Sequence, residues 1–159
     1  MTSEAVDRTG VAAEIVNSEA AEAVAPPRLD ILIVDDDPVF RYTVQRMLSQ
    51  GAGTAYRFAF AEHAQQAIDL IEHQAPDLVI SDIFMPVADG FELLNWTRFH
   101  AARIPVLIVS VADETDPNFN PLEIARSLGA VDVLTKPFDR AALIAAIERA
   151  LEGAAARAH

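Results

Sequence analysis

The sequence predicts an α/β domain built on a parallel sheet. Three features predict it: short apolar runs rich in β-branched residues recur along the chain, helical stripes alternate with them, and charged or hydroxyl residues stand directly after several of the runs. Ile31-Leu32-Ile33-Val34 is the first run, followed at once by acids, which suits a strand buried on both faces. After Pro38, apolar residues fall at Phe40, Val44, Met47 and Leu48, a helical spacing, and Gly51 follows as a stop signal.

The alternation continues. Tyr56 to Phe60 reads as a second strand, and Ala64, Ala67, Ile68 and Ile71 make a second helical stripe. Asp77 to Ser81 is a third strand ending at Asp82, and Phe91 and Leu94 follow Gly90 in a third helix. Pro105 to Ser110 is an aliphatic fourth strand, and Leu122 to Leu128 is a short helix stopped by Gly129. Val131 to Leu134 is a fifth strand, and Leu143, Ile144, Ile147 and Leu151 give the last stripe. Parallel strands need crossover connections, so five such units predict a parallel sheet with helices on both faces. Ligands of such sheets bind outside the carboxyl ends of the strands, where the strand order reverses.

Composition narrows the function. The chain has 159 residues, which suits one domain with a tail, and 52% of them are hydrophobic, enough to fill a core. The expected plan is a tail over residues 1–28, a folded domain over 29–153 and a short C-terminal tail over 154–159. Residues 1–28 contain no aromatic residue and close on Pro26-Pro27. They read as a mobile tail in which a stretch around Val11 to Val24 could form a transient helix. A net charge of −12 argues against nucleic acid and anionic membrane surfaces as partners. The absence of cysteine excludes disulfides, thiolate metal sites and Cys nucleophiles, and it fits a cytoplasmic protein. No apolar run approaches the roughly 20 residues of a membrane helix.

The chemistry lies at the predicted carboxyl ends. Asp35, Asp36 and Asp37 follow the first strand, Asp82 the third, Ser110 the fourth, and Thr135, Lys136 and Pro137 the fifth. Carboxylates gathered in one place repel each other, and a hard divalent cation offsets that repulsion. Mg2+ suits Asp36 and Asp82 as oxygen donors, with Asp35 holding a metal water and the Phe84 backbone carbonyl as a further ligand. Such a site suits phosphoryl transfer: Asp82 as nucleophile, with Lys136 and the Ser110 hydroxyl each contacting a phosphoryl oxygen. Each piece has a bland reading when taken alone. The acidic triplet could be a solvated turn with Asp37 as a helix N-cap, Lys136 a surface lysine, and Ser110 a strand-end hydroxyl. Trp96 reads as a packing residue, and the four histidines show no paired metal spacing.

Taken in order, these residues resemble the receiver domains of bacterial two-component systems. The resemblance rests on Ile33 to Pro38, Asp77 to Pro86, Asp89-Gly90, Pro105 to Ser110 and Thr135 to Phe138, and covers residues 30–152. It implies a doubly wound, five-stranded, flavodoxin-like (βα)5 fold. It implies a cytoplasmic signalling switch that catalyses only its own phosphorylation and dephosphorylation. Asp82 would take a phosphoryl group from a sensor histidine kinase or a histidine phosphotransfer protein, with Mg2+ at Asp35, Asp36, Asp82 and the Phe84 carbonyl. Ser110 and Lys136 would then read phosphorylation and shift the face made by the fourth helix, fifth strand and fifth helix, where a downstream protein target binds and where many receivers dimerise.

Three features depart from the family. Val133 stands where receivers commonly carry an aromatic switch residue, the segment from Ser110 to Lys136 is long, and Phe84 is bulky beside the expected path of water. The resemblance leaves open whether the bond before Pro137 is cis, as in some receivers. Only Glu152 to His159 follow the last stripe, so the expectation is a stand-alone regulator acting through protein–protein contacts. A phosphorylation-independent scaffold of the same fold is the alternative. A flavin protein or small phosphatase fits less well. The acidic triplet would repel a cofactor phosphate, and aspartyl phosphatases place the nucleophile after the first strand.

Overall fold

The computed structural model describes residues 27–51, 53–86, 89–112 and 116–158. Most of the expected N-terminal tail, including Val11 to Val24, lies outside the described residues. The elements run β1 (Arg28–Val34), α1 (Pro38–Ser49), β2 (Ala55–Ala61), α2 (Ala64–His73), β3 (Leu78–Ser81), α3 (Gly90–His100), β4 (Val106–Val111), α4 (Pro121–Leu128), β5 (Asp132–Lys136) and α5 (Arg140–Arg157). The five strands form one parallel sheet in the order β2-β1-β3-β4-β5. The predicted doubly wound architecture is therefore present, and the order reverses between β1 and β3.

The period of two along a strand sorts side chains onto two faces. Leu32, Val34, Val79 and Ile108 join a cluster with α2, α3 and α4. Ile31, Ile33, Leu78, Ile80, Leu107 and Val109 join a second cluster with α1 and α5. Every residue of β3 is buried, whereas the edge strand β2 alternates between covered and exposed positions. Each fully buried Ile, Leu or Val contributes about 1.5–3 kcal/mol, against a backbone ordering cost of about 1–2 kcal/mol per residue. The margin is thus widest in the central strands, and these strands carry the acids at their ends.

Helix starts follow their caps. Asp37, His63, Asp89, Asn120 and Asp139 each accept a hydrogen bond from a backbone N–H in the first turn of the helix that follows. Gly129 closes α4 at φ 111°, a left-handed conformation that favours glycine. The strands differ from the sequence reading by one to three residues at their ends, with β1 beginning three positions earlier and β3, β4 and β5 one position later than predicted, because pairing register sets those limits. α5 continues through Ala154 to Arg157, past the last residue of its apolar stripe. The Lys136-Pro137 bond is cis.

Candidate phosphoryl-accepting site

Strand register builds the site. Val34 pairs with Ser81, so the next residues, Asp35 and Asp82, leave adjacent strands at the same level. Backbone bonds fix both departures: Asp82 N donates to Val34 O at 3.0 Å, and Asp35 N to Ala61 O at 3.1 Å. Asp35 is 1% exposed and Asp82 9% exposed, so both carboxyls sit at the bottom of the crevice. Asp36 is exposed at its mouth. One oxygen from each of the three lies within 4.8 Å of the others.

Each buried carboxyl has assigned partners. Asp35 Oδ1 accepts from Asp37 N at 2.9 Å, and Asp82 Oδ1 accepts from Ile83 N at 2.7 Å and more weakly from Phe84 N at 3.4 Å. The second oxygens face Lys136, whose Nζ stands 3.0 Å from Asp35 Oδ2 and 3.4 Å from Asp82 Oδ2. Two buried carboxylates therefore share one ammonium, with the Asp36 carboxylate beside them. Burial pushes the Asp35 carboxyl above its ordinary range, and the nearby Asp82 charge pushes the same way. The Asp37 N–H and Lys136 oppose both without cancelling them. An all-oxygen donor set with surplus negative charge fits a hard divalent cation such as Mg2+, and a thiolate- or imidazole-preferring metal would find no such donor in this cluster.

Two supports were not read from the sequence as parts of the site. The Lys136 ammonium lies 3.8 Å from the centroid of the Phe40 ring, a close cation–π contact, and Phe138 packs edge-on against Phe40 at 6.1 Å. Phe40 counted in the sequence only as part of an apolar helical stripe. Gly90 is the other support. Its N donates to Ile83 O at 2.9 Å, and a Cβ there would lie 2.2 Å from the Asp82 carbonyl oxygen. The Asp89-Gly90 pair was legible as a helix approach, but not as the reason the Asp82 loop can lie so close to α3.

The remaining predicted residues are less tightly drawn in. Ser110 is buried at the carboxyl end of β4, and its Oγ has no hydrogen-bond partner among the described residues. Val133 is half-buried on β5 and packs against the cluster beneath α2, α3 and α4. Phe84 is 43% exposed. Glu62, after β2, turns to Arg41 at 3.6 Å, and Arg41 also donates to the Asp35 carbonyl at 2.6 Å. Met85 is buried, and its side chain joins the core.

Comparison with known proteins agrees with this geometry. The family model of the response regulator receiver domain matches residues 31–148. The DNA-binding transcriptional regulator NtrC of Proteus hauseri is 33% identical over 122 residues, 77% of this chain but 24% of that protein. The response regulator MprA of Mycolicibacterium vanbaalenii is 34% identical over 115 residues, 72% of this chain and 47% of that protein. The chain thus spans between a quarter and a half of the length of these relatives. The crystal structure of the receiver domain of NtrX from Brucella abortus superposes with a TM-score of 0.66 at 34% identity, covering 77% of this chain and 98% of that one. Among the described residues, no helix is long and apolar enough to cross a membrane. With a family model spanning most of the chain and every predicted acid at its strand end, the chain belongs to the response-regulator receiver domain family.

Proposed function

We propose that the domain is a phosphorylation switch whose acceptor is Asp82. The observation that carries this reading is the meeting of Asp35, Asp36 and Asp82 with Lys136 where the strand order reverses. In the forward step a carboxylate oxygen of Asp82 attacks the phosphorus of a phosphohistidine. An O–P bond forms, the P–N bond breaks, and the imidazole leaves with the electron pair. Asp35, Asp36, Asp82 and the Phe84 carbonyl would hold Mg2+, which when bound offsets charge on the phosphoryl oxygens. Lys136 moves its ammonium from the carboxylates to one phosphoryl oxygen, with the Phe40 ring as a continuing support. The Ser110 hydroxyl, which lacks a partner, accepts the role of donor to another. The receiver unit in this reading runs from Arg28 to Arg157 and not over 29–153 as expected from the sequence, because β1 begins at Arg28 and the last helix continues through residues 154–157.

The donor is a histidine kinase or a histidine phosphotransfer protein, and output runs through a protein target in the cytoplasm. A net charge of −12 supports a protein target over nucleic acid. Self-association on the α4-β5-α5 face is a further outcome of phosphorylation in this reading. Val133 favours a second reading, a scaffold that keeps the fold without using the phosphoryl group, because the aromatic part of the usual readout is missing. Intact mass after incubation with Mg2+ and acetyl phosphate separates the two. Gain of one phosphoryl group by the native chain, and none by Asp82→Asn, supports the switch. No gain from acetyl phosphate or from a phosphorylated histidine phosphotransfer protein, with Mg2+ binding absent, supports the scaffold.

A further inference from the structure

The opposite edge of the sheet has a different chemistry. Around the amino end of β4 lies an open-sided cavity of about 740 Å3, walled by the last turns of α3 and α5 and the end of α4. Arg98 comes from the last turn of α3, Arg103 from the loop before β4, and Arg157 from the last turn of α5. Among the described residues, no acidic residue lines the cavity. Among the described residues, none of the three guanidiniums has a carboxylate within 4.0 Å, whereas Arg41, Arg57 and Arg149 each have one.

Helix dipoles explain part of this. Every helix here carries a basic residue in its last turn, where it complements the negative helix end. That rule accounts for the sign of Arg98 and Arg157. It does not account for Arg103, which lies outside any helix. Nor does it explain the exclusion of acids from this cavity, in a chain with 24 Asp and Glu against 12 Lys and Arg.

We propose that this cavity binds a small, multiply charged anion with an apolar body, of the phosphate-ester or pyrophosphate class. Arg98, Arg103 and Arg157 all line the cavity with no acid beside them, and a ligand of charge −2 or more matches that positive lining better than a lone carboxylate does. The guanidinium fork matches phosphate oxygens two at a time. Leu94, Ile104 and Val131 supply apolar wall for the body of the ligand. The volume falls within the roughly 300–1,000 Å3 usual for small-molecule sites. The site is independent of the Asp82 chemistry, since it lies at the other end of the strands and needs no metal.

The test is a titration of the 15N-labelled full chain with pyrophosphate, free of divalent cations and at constant ionic strength. Saturable amide shifts confined to 97–106, 127–131 and the end of α5 are expected. Affinity is expected to fall at least tenfold in the combined R98Q, R103Q and R157Q variant and to stay unchanged in D82N. Absence of saturable shifts, shifts scattered over all exposed basic residues, or undiminished affinity in the combined variant would each overturn the proposal. Should that variant lose its native spectrum, R103Q alone decides, because its side chain is exposed in a loop. A several-fold loss supports the site, and no loss overturns it.

Discussion

The β1–β3 half of the carboxyl edge and the β4–β5 half are built to different standards. In the first, both buried carboxyls are satisfied by backbone donors and Lys136, β3 is buried throughout, and β1 is buried over its last four residues. In the second, Ser110 Oγ is buried without a partner, β5 is half-covered, and Val133 fills a position that an aromatic residue commonly takes in the family. A satisfied polar group resists rearrangement, and an unsatisfied one favours it, because leaving it unpaired costs about 1–3 kcal/mol. In the proposed switch, this contrast suits the first half to fixed acceptor chemistry and the second to a readout that moves.

The largest expected effect breaks the fixed half. Gly90→Ala would push a Cβ into the backbone of Asp82 and Ile83, with no side chain able to yield. We expect a loss of about 3 kcal/mol in denaturant unfolding, at the upper end of overpacking costs. A loss below about 1 kcal/mol would show that the Asp82 loop is not held against α3 as described.

Asp35 gives the next effect. Burial makes its carboxyl hold a proton more readily in the folded than in the unfolded state, whose carboxyl titrates near 3.8, so through that titration the folded state binds more protons. Stability without metal should therefore fall as pH rises from that value through the raised folded one. Asp35→Asn should raise Tm at neutral pH in EDTA and flatten this dependence. Mg2+ should stabilise the native chain more than the variant, since it binds the ionised form. A lower Tm for the variant in EDTA would mean that the contact with Lys136 outweighs the burial of charge.

Ser110→Ala sharpens the contrast from the other side. Removing a buried hydroxyl that has no partner should leave metal-free stability unchanged or raise it by up to about 1 kcal/mol. The same change should weaken the stabilisation that phosphorylation brings. A clear loss of metal-free stability would mean that the hydroxyl already has a use in the resting state.

The smallest effect is at Phe40. A cation–π contact of this kind contributes about 0.5–2 kcal/mol. Phe40→Leu should slow phosphoryl uptake by a few-fold while Phe40→Tyr keeps the native rate, measured with acetyl phosphate at saturating Mg2+. Equal rates in all three would reduce Phe40 to a packing residue.

These residues also mark what was legible in the sequence. Asp35, Asp36, Asp82 and Lys136 could be placed together because β-strand runs end visibly at charged residues and parallel sheets gather their carboxyl ends. Asp37 was legible as a cap because its chemistry acts two residues away. Phe40 was not, since its partner Lys136 is distant in sequence and a ring in a helical stripe looks like core. The state of Ser110 Oγ depends on neighbours from several elements, and so does the arginine cavity, which draws on α3, α4, α5 and two loops. Strand limits moved by one to three residues because register depends on the neighbouring strand.

The central claim, that Asp82 is the phosphoryl acceptor, is tested most directly by trapping the acyl phosphate. After incubation with Mg2+ and acetyl phosphate, borohydride reduction converts a phosphorylated aspartate to homoserine, and peptide mass mapping locates it. The account predicts homoserine at position 82 alone, and only when Mg2+ and the phosphodonor are both present. Homoserine at Asp35 or Asp36, or its formation at Asp82 without Mg2+, would contradict it.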